Sequence, residues 1–564
     1  MRSAQFGSIG AVGYYLISHE VLGGITAHIA SIDFRSVAEI LRDYCQGRNV
    51  TILTEGSLEF AKAHISRFYD TDFFPKAFEF EAIWHSWDAV KKELRSRNVA
   101  KLPVTSPRTI AWPKARGGYR VVHQLEPLDA IVYTALVAQI AAAIEKQRPP
   151  RESGIACSYR IELLDGSLFS SGAGFDLFRQ SCARSSERAT HVLKTDISDF
   201  YNQISLHRLN NAIAHADPQL SDLADDVEGF LSRLNTKTSQ GIPVGPAASI
   251  VLAEATMIDV DQFLMNKDVE HSRYVDDFRI FSTSRDRLEW VLQEMSLYMH
   301  DNHRLSLATD KTQIVSVTQF LADDLQNAYQ LERLELLDSV EVLNPYTQEV
   351  EQKEVLAATA PKATIDALEK LIAFGNLDLG IARAVIRTAK AYRINAPAII
   401  LFRNLNYFAP VANDVFLYMQ KIWNQDMSKE LVHVIEELLT PIAPPSMGLR
   451  HWLAWFLAGQ TELMKSARIK NFVFSAPDLG IQARAAVACN NLAWVREQKT
   501  AIYNMGSWDR RAVLFASQIL PKDERENWLR LVQNNSPFPL DSWMAQWVLD
   551  GGFMFFDFED EIPF

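Results

Sequence analysis

Cysteine is scarce in this chain: four in 564 residues, at Cys45, Cys157, Cys182 and Cys489, far apart. No Cys-x-x-Cys pair occurs, which argues against a zinc site and a disulfide framework. The expectation is a reduced, cytoplasmic protein. Long apolar runs are also lacking. Ile9 to Ile17 is apolar, but His19 and Glu20 interrupt it and no small-residue cleavage site follows. It reads as a buried segment, not a signal peptide. No stretch is expected to reach the ~20 residues of a membrane helix, so no membrane partner is expected. Positive charge is in deficit, with 57 Lys and Arg against 69 Asp and Glu and a net charge of -12. That balance argues against loose, non-specific coating of a polyanion. The deficit is uneven. Leu94 to Leu125 holds no Asp or Glu, while Arg95, Arg97, Lys101, Arg108, Lys114, Arg116 and Arg120 fall there. This basic zone suits a phosphate backbone, or is a solvated face.

What is present points to carboxylate chemistry. In Ser272-Arg273-Tyr274-Val275-Asp276-Asp277-Phe278-Arg279-Ile280-Phe281 the flanks favour strand and the Asp-Asp pair favours a tight turn. A hairpin with both carboxylates at its tip would hold them against a divalent cation. Upstream, the strand-like His191 to Thr195 runs into Asp196 and then a helix start. Asp196, Asp276 and Asp277 together would bind two Mg²⁺ ions for an in-line phosphoryl transfer; alternatively Asp196 caps the following helix. Between them, Gln240-Gly241-Ile242-Pro243-Val244-Gly245 offers two glycines for close backbone approach to a substrate, or is a plain loop before a buried helix.

Together these residues resemble the reverse transcriptase palm. Asp196 with Phe200-Tyr201 matches that family's first catalytic motif, Gln240 to Gly245 its Gln-Gly-x-Pro-x-Gly motif, and Tyr274-Val275-Asp276-Asp277 its Tyr-x-Asp-Asp box. Leu305 to Thr312 resembles the next motif, and Trp112 to Arg120 with Pro127, Asp129 and Ala135-Leu136 resembles the fingers. Ser158-Tyr159-Arg160 falls where such enzymes carry a Ser-Tyr-x-Phe-Arg-like element. The resemblance implies Asp196, Ile197, Asp276 and Asp277 at two Mg²⁺ ions, with Mn²⁺ as an alternative. It implies Lys114 and Arg120 on the incoming triphosphate, and Gln240 and Gly241 against nucleotide and template. Tyr201 would exclude a ribose 2′-OH, and Lys311 would be the general acid to pyrophosphate. Taken singly, Lys114, Arg120 and Lys311 read equally well as solvated surface charge, and Tyr201 as core.

The expected fold class is an α+β right-hand polymerase, fingers and palm, followed by an all-α helical-repeat, HEAT-like domain. The expected divisions are an N-terminal extension at 1–75, fingers and palm at 76–325, a connector at 326–360 and the helical domain at 361–564. Helical periodicity governs Ala360 to Ala373, Gly380 to Tyr392, Val411 to Trp423, Lys429 to Leu439, Leu449 to Met464, Gly480 to Trp494, Trp508 to Leu520 and Lys522 to Val532. An irregular helical domain that enlarges the thumb is the alternative. The chain ends on phenylalanines mixed with acids, a docking tail or a packed terminus. A polymerase joined to a helical domain without a nuclease resembles the bacterial abortive-infection and defence-associated reverse transcriptases. That implies deoxynucleoside triphosphates as substrates and a DNA product. It also implies synthesis either untemplated and protein-primed or copying a partner non-coding RNA, and a homo-oligomer. A group II intron or retron-like enzyme and a catalytically silent nucleic-acid-binding scaffold are the alternatives.

Overall fold

The computed structural model describes residues 52–115, 117–170, 174–236, 238–325, 350–440 and 446–552, the side chains of 350–360 excepted. The expectations for 1–51, for most of the connector, for Arg116 and for the phenylalanine-rich end lie outside these residues.

Among the described residues, eight strands make three antiparallel sheets. β1 (Arg108–Pro113) and β2 (Tyr119–Gln124) form a hairpin, and so do β3 (Ile161–Leu164) and β4 (Ser167–Phe169). The central sheet combines β5 (His191–Asp196), β6 (Glu270–Tyr274), β7 (Asp277–Ser282) and β8 (Gln313–Ser316) in the order β6-β7-β5-β8. Leu193, Phe278 and Ile280 are buried in its core, and the helix Arg285–Tyr298 packs across β5 and β7.

Two apolar helices, Pro127–Gln147 and Ala247–Asn266, pack against each other. Pro127–Gln147 starts with proline in its first turn and a Glu126 cap on the Leu128 N–H at 2.9 Å. It spans 21 residues and is apolar enough to cross a bilayer, contrary to the expectation that no stretch reaches that length. Most of it is buried inside the protein, where Glu55–Phe68 and Ala247–Asn266 pack against it. A helix apolar all round is what a position between two other elements requires.

From residue 350 the described chain is helical. Leu379–Ala391, Ala412–Ile422, Met447–Ala458, Leu479–Ala488, Ser507–Ala516 and Pro539–Leu549 form one row, each helix packing on the next. Gly480 to Trp494 is two helices, not one: the first ends at Ala488, Asn490 turns left-handed at φ 50°, and Leu492–Ala501 follows. Pro397–Arg403, Ala467–Phe474 and Pro539–Leu549 were not among the expected helices.

The row packs back on the elements that precede it. One core runs from Leu53 through the palm to Leu305 and takes in Ala483 to Val548 as well. A second joins Phe74, Trp112 and Val122 to residues from Ala367 to Ala485. Trp112 of β1 donates from Nε1 to the Pro410 carbonyl at 3.2 Å, and its ring lies where a Cβ on Gly448 would stand 2.6 Å away. Only glycine admits that approach.

Candidate active site

The palm register brings the carboxylates together. Across β5 and β7, Asp196 stands directly opposite Asp277. Across β6 and β7, Tyr274 pairs with Asp277, which leaves Val275-Asp276 as a two-residue turn. Such turns follow the right-handed twist of the strands only with positive φ at the first position. Val275 supplies it at φ 58°, a poor conformation for a β-branched residue. The Ile197 N–H donates to the Asp276 carbonyl at 3.2 Å, tying the turn to the end of β5.

Like charge is concentrated here. Burial, then the Asp196 carboxylate and the Asp277 carboxylate, push the Asp276 carboxyl up to about 7. Burial also raises Asp196, against a hydrogen bond from Lys311 Nζ that lowers it. Arg279 grips Asp277 from the same strand. Two basic side chains therefore rest on this carboxylate group. Among the described residues, no three Asp, Glu, His or Cys side chains stand close enough to read as a ready metal cage. The donor set nevertheless fits a hard cation, which takes carboxylate oxygens and tolerates few protein ligands. A buried carboxyl raised by its carboxylate neighbours is the group a cation would relieve.

Of the other expected residues, Arg120 and Tyr201 feel the Asp276 charge. Arg120 opens to solvent, yet desolvation lowers its guanidinium pKa while attraction to Asp276 opposes the shift. Lys114 is exposed at the tip of the β1–β2 hairpin, its carbonyl accepting from Gly117 at 3.2 Å. Tyr201 is half-buried, and burial followed by the Asp276 charge raises its phenol well above the usual range. Its carbonyl accepts from the Ile242 N–H at 2.9 Å, which fastens the Gln240–Gly245 loop beside it. Gln240 is exposed, with Nε2 3.5 Å from Gln203 Oε1.

The glycines of that loop make close approaches within the protein itself. A Cβ on Gly241 would lie 3.2 Å from the Asn202 carbonyl oxygen, and one on Gly245 would lie 2.4 Å from Thr71 Oγ1. Both have positive φ, 92° and 132°. Substrate approach is thus not needed to account for either.

Sequence reasoning missed what lies beneath the turn. Arg273, Glu254, Asp261 and Arg148 form a chain of ion pairs with side chains 0–1% exposed. A signal existed: Glu254 and Asp261 stand seven residues apart in a mostly apolar helix, and Arg273 directly precedes the Tyr-x-Asp-Asp box. Seven residues is two helical turns, so both acids share the face turned to Arg273.

Residues 112–352 match the family model described as reverse transcriptase (RNA-dependent DNA polymerase). No curated protein matches the chain. Solved structures with a distant likeness include telomerase from Candida albicans in complex with a TWJ fragment of telomeric RNA. It is 12% identical over 70% of this chain and 70% of that one, with a TM-score of 0.29. Apo telomerase from Candida tropicalis is 11% identical over 62% of this chain and 69% of that one, with a TM-score of 0.32. The palm register and the family match together show that the chain carries a reverse transcriptase domain, that of an RNA-directed DNA polymerase, a nucleotidyltransferase.

Proposed function

We propose that the chain extends DNA with deoxynucleotides by two-metal phosphoryl transfer at Asp196, Asp276 and Asp277. The observation that carries this reading is the register: Asp196 opposite Asp277, with Asp276 in the turn between β6 and β7. Asp196, Asp276 and Asp277, with the Ile197 backbone carbonyl, would hold the ions, Mg²⁺ first and Mn²⁺ as alternative. Bound there, divalent cations would stabilise charge on the attacking and leaving oxygens. The protein's own part is to gather the carboxylates, to aim the Arg120 guanidinium as a planar fork and Lys114 as a point charge at the triphosphate, and to seat the nucleotide against Gln240 and Gly241. Tyr201 blocks a 2′-OH. Lys311, which donates to Asp196, would be the proton donor to the departing pyrophosphate.

The wider role follows from the resemblance and from architecture. A polymerase domain followed by a row of packed helices, read as a HEAT-like array, supports a place among bacterial anti-phage defence enzymes. In that setting the chain acts in the cytoplasm as a homo-oligomer. It either primes from protein without a template or copies a partner RNA.

The test is incorporation of each labelled deoxynucleotide by purified protein with Mg²⁺, on denaturing gels with and without RNase and protease. Asp276→Asn is expected to reduce incorporation by about 10³-fold or more, the scale of losing electrostatic stabilisation at the reacting atoms. An unchanged rate would refute the site. Product that shifts with protease and survives RNase supports protein priming; product that vanishes with RNase supports a bound RNA.

A further inference from the structure

The turn that carries Asp276 is held from below by buried charge. Both backbone polar groups of Val275 are tied. Its N–H donates to Ser158 Oγ at 2.9 Å, and its carbonyl accepts from the Arg273 guanidinium at 3.2 Å. Ser158 in turn donates to Glu254 Oε1 at 2.8 Å. With its only proton committed to the carboxylate, the hydroxyl has just lone pairs to offer Val275. Arg273 also reaches Glu254 Oε2 at 2.9 Å and both oxygens of Asp261 at 2.7 and 2.8 Å.

Arg148 extends the chain, and it also pairs with Glu145 at 2.9 Å. It lies 2.8 Å from Glu254 Oε2 and donates to the carbonyls of Ser158 at 2.7 Å and Tyr159 at 3.0 Å. The segment bearing Ser158 is bonded to β6 as well: the Cys157 N–H donates to the Arg273 carbonyl at 3.1 Å and the Arg273 N–H to the Ile155 carbonyl at 2.7 Å. Two arginines thus balance two acids, all buried. An interior of this kind is a poor way to gain stability, because apolar residues of like volume commonly do as well. What it provides is direction: Ser158 and Arg273, both bonded to Glu254, end on the two backbone polar groups of Val275.

We propose that Ser158, Glu254 and Arg273 are positioning residues that hold Val275 in its left-handed conformation and so set Asp276 against Asp196 and Asp277. The inference rests on the reading of those three aspartates as the catalytic carboxylates. A valine left to itself returns to negative φ. The turn would then flip, the Asp276 carbonyl would leave the Ile197 N–H, and the carboxylate would swing away from its partners.

Steady-state incorporation of a deoxynucleotide with Mg²⁺ tests this. Ser158→Ala is expected to lower kcat about tenfold while KM for the nucleotide stays within about twofold, since positioning acts on the reacting geometry and not on uniform binding. Adding Val275→Asn, whose side chain accepts positive φ far more readily, is expected to restore most of the loss. Glu254→Gln keeps the shape but removes the charge that orients the hydroxyl, and it is expected to fall in the same direction. A wild-type kcat in Ser158→Ala, or a loss that Val275→Asn leaves untouched, overturns the proposal. Asp276→Asn run alongside separates the two ideas. If it is active, the site reading fails. If it is dead while Ser158→Ala is fully active, only the positioning role fails.

Discussion

At the scale of single residues, the candidate site is built from groups held in unfavourable states. Asp276 is a carboxyl raised to about 7 by burial and by two carboxylate neighbours, and Val275 beside it has positive φ. Such a backbone costs on the order of 1–3 kcal/mol and persists only where its surroundings impose it. Tyr201 is fastened through its own carbonyl to the Gln240–Gly245 loop, so its ring is not free to swing aside with a rotating backbone. Tyr201→Ala is therefore expected to admit ribonucleotides, raising their incorporation relative to deoxynucleotides by roughly an order of magnitude or more. Competition between matched ribo- and deoxynucleotides measures it; an unchanged ratio would remove Tyr201 from the gate. The three aspartates and Tyr201 were legible because their spacing forms ordered motifs. Ser158 was noticed only by its place in such a motif. Its bond to Val275, 117 residues away, exists only once the chain is folded.

Elements show the same division. The β3–β4 hairpin turns on Asp165-Gly166 at φ 49° and 78°, the dipeptide that a primed two-residue turn favours, so this hairpin is written locally. What it packs against is not. His64, on the helix Glu55–Phe68, donates from Nδ1 to the Gly166 carbonyl at 2.7 Å, and burial lowers its pKa to about 4. Its imidazole is neutral in the fold. Below about pH 6.5 the unfolded chain takes up a proton that the folded one refuses, so stability contributed by the neutral ring is lost as pH falls from about 6.5 to about 4. Between these pH values the wild type should lose about 3 kcal/mol relative to His64→Gln, measured by denaturant unfolding at each pH. A constant difference would show that the ring is not held neutral. The helix break at Asn490 was missed for a related reason. Residues on either side of it share one apolar periodicity, and only the packing of two short helices decides where the chain turns.

At the scale of the whole molecule, the helical row is built into the fingers. Arg108 forks onto Asp478 at 3.0 and 3.2 Å, Trp452 donates to the Phe73 carbonyl at 2.9 Å, and Arg511 sits between Glu79 at 3.0 Å and Glu126 at 3.1 Å. Arg511, Glu79 and Glu126 are buried, and Glu126 also caps the helix Pro127–Gln147. Arg511→Met is expected to destabilise the protein by about 3–5 kcal/mol, because it strands two buried carboxylates without their cation. Thermal and denaturant unfolding of the purified variant check this; a loss under about 1 kcal/mol would mean that these ion pairs do not hold the row in place.

The sequence by itself determined the local terms: strands flanking a tight turn at Asp276, a palm with its motifs in order, and helical periodicity after residue 360; the expected Asp-Asp turn is Val275-Asp276, with Asp277 opening β7. Each of these is carried by neighbours along the chain, through period, turn chemistry and charge spacing. Tertiary structure decided the rest. It placed Asp196 opposite Asp277, put the Ser158–Glu254–Arg273 chain under the turn, and shared the polymerase core with helices more than 150 residues downstream. Those pairings join residues far apart in sequence, and burial sets their strength: a charge or hydroxyl that is ordinary in water becomes directive once water is excluded.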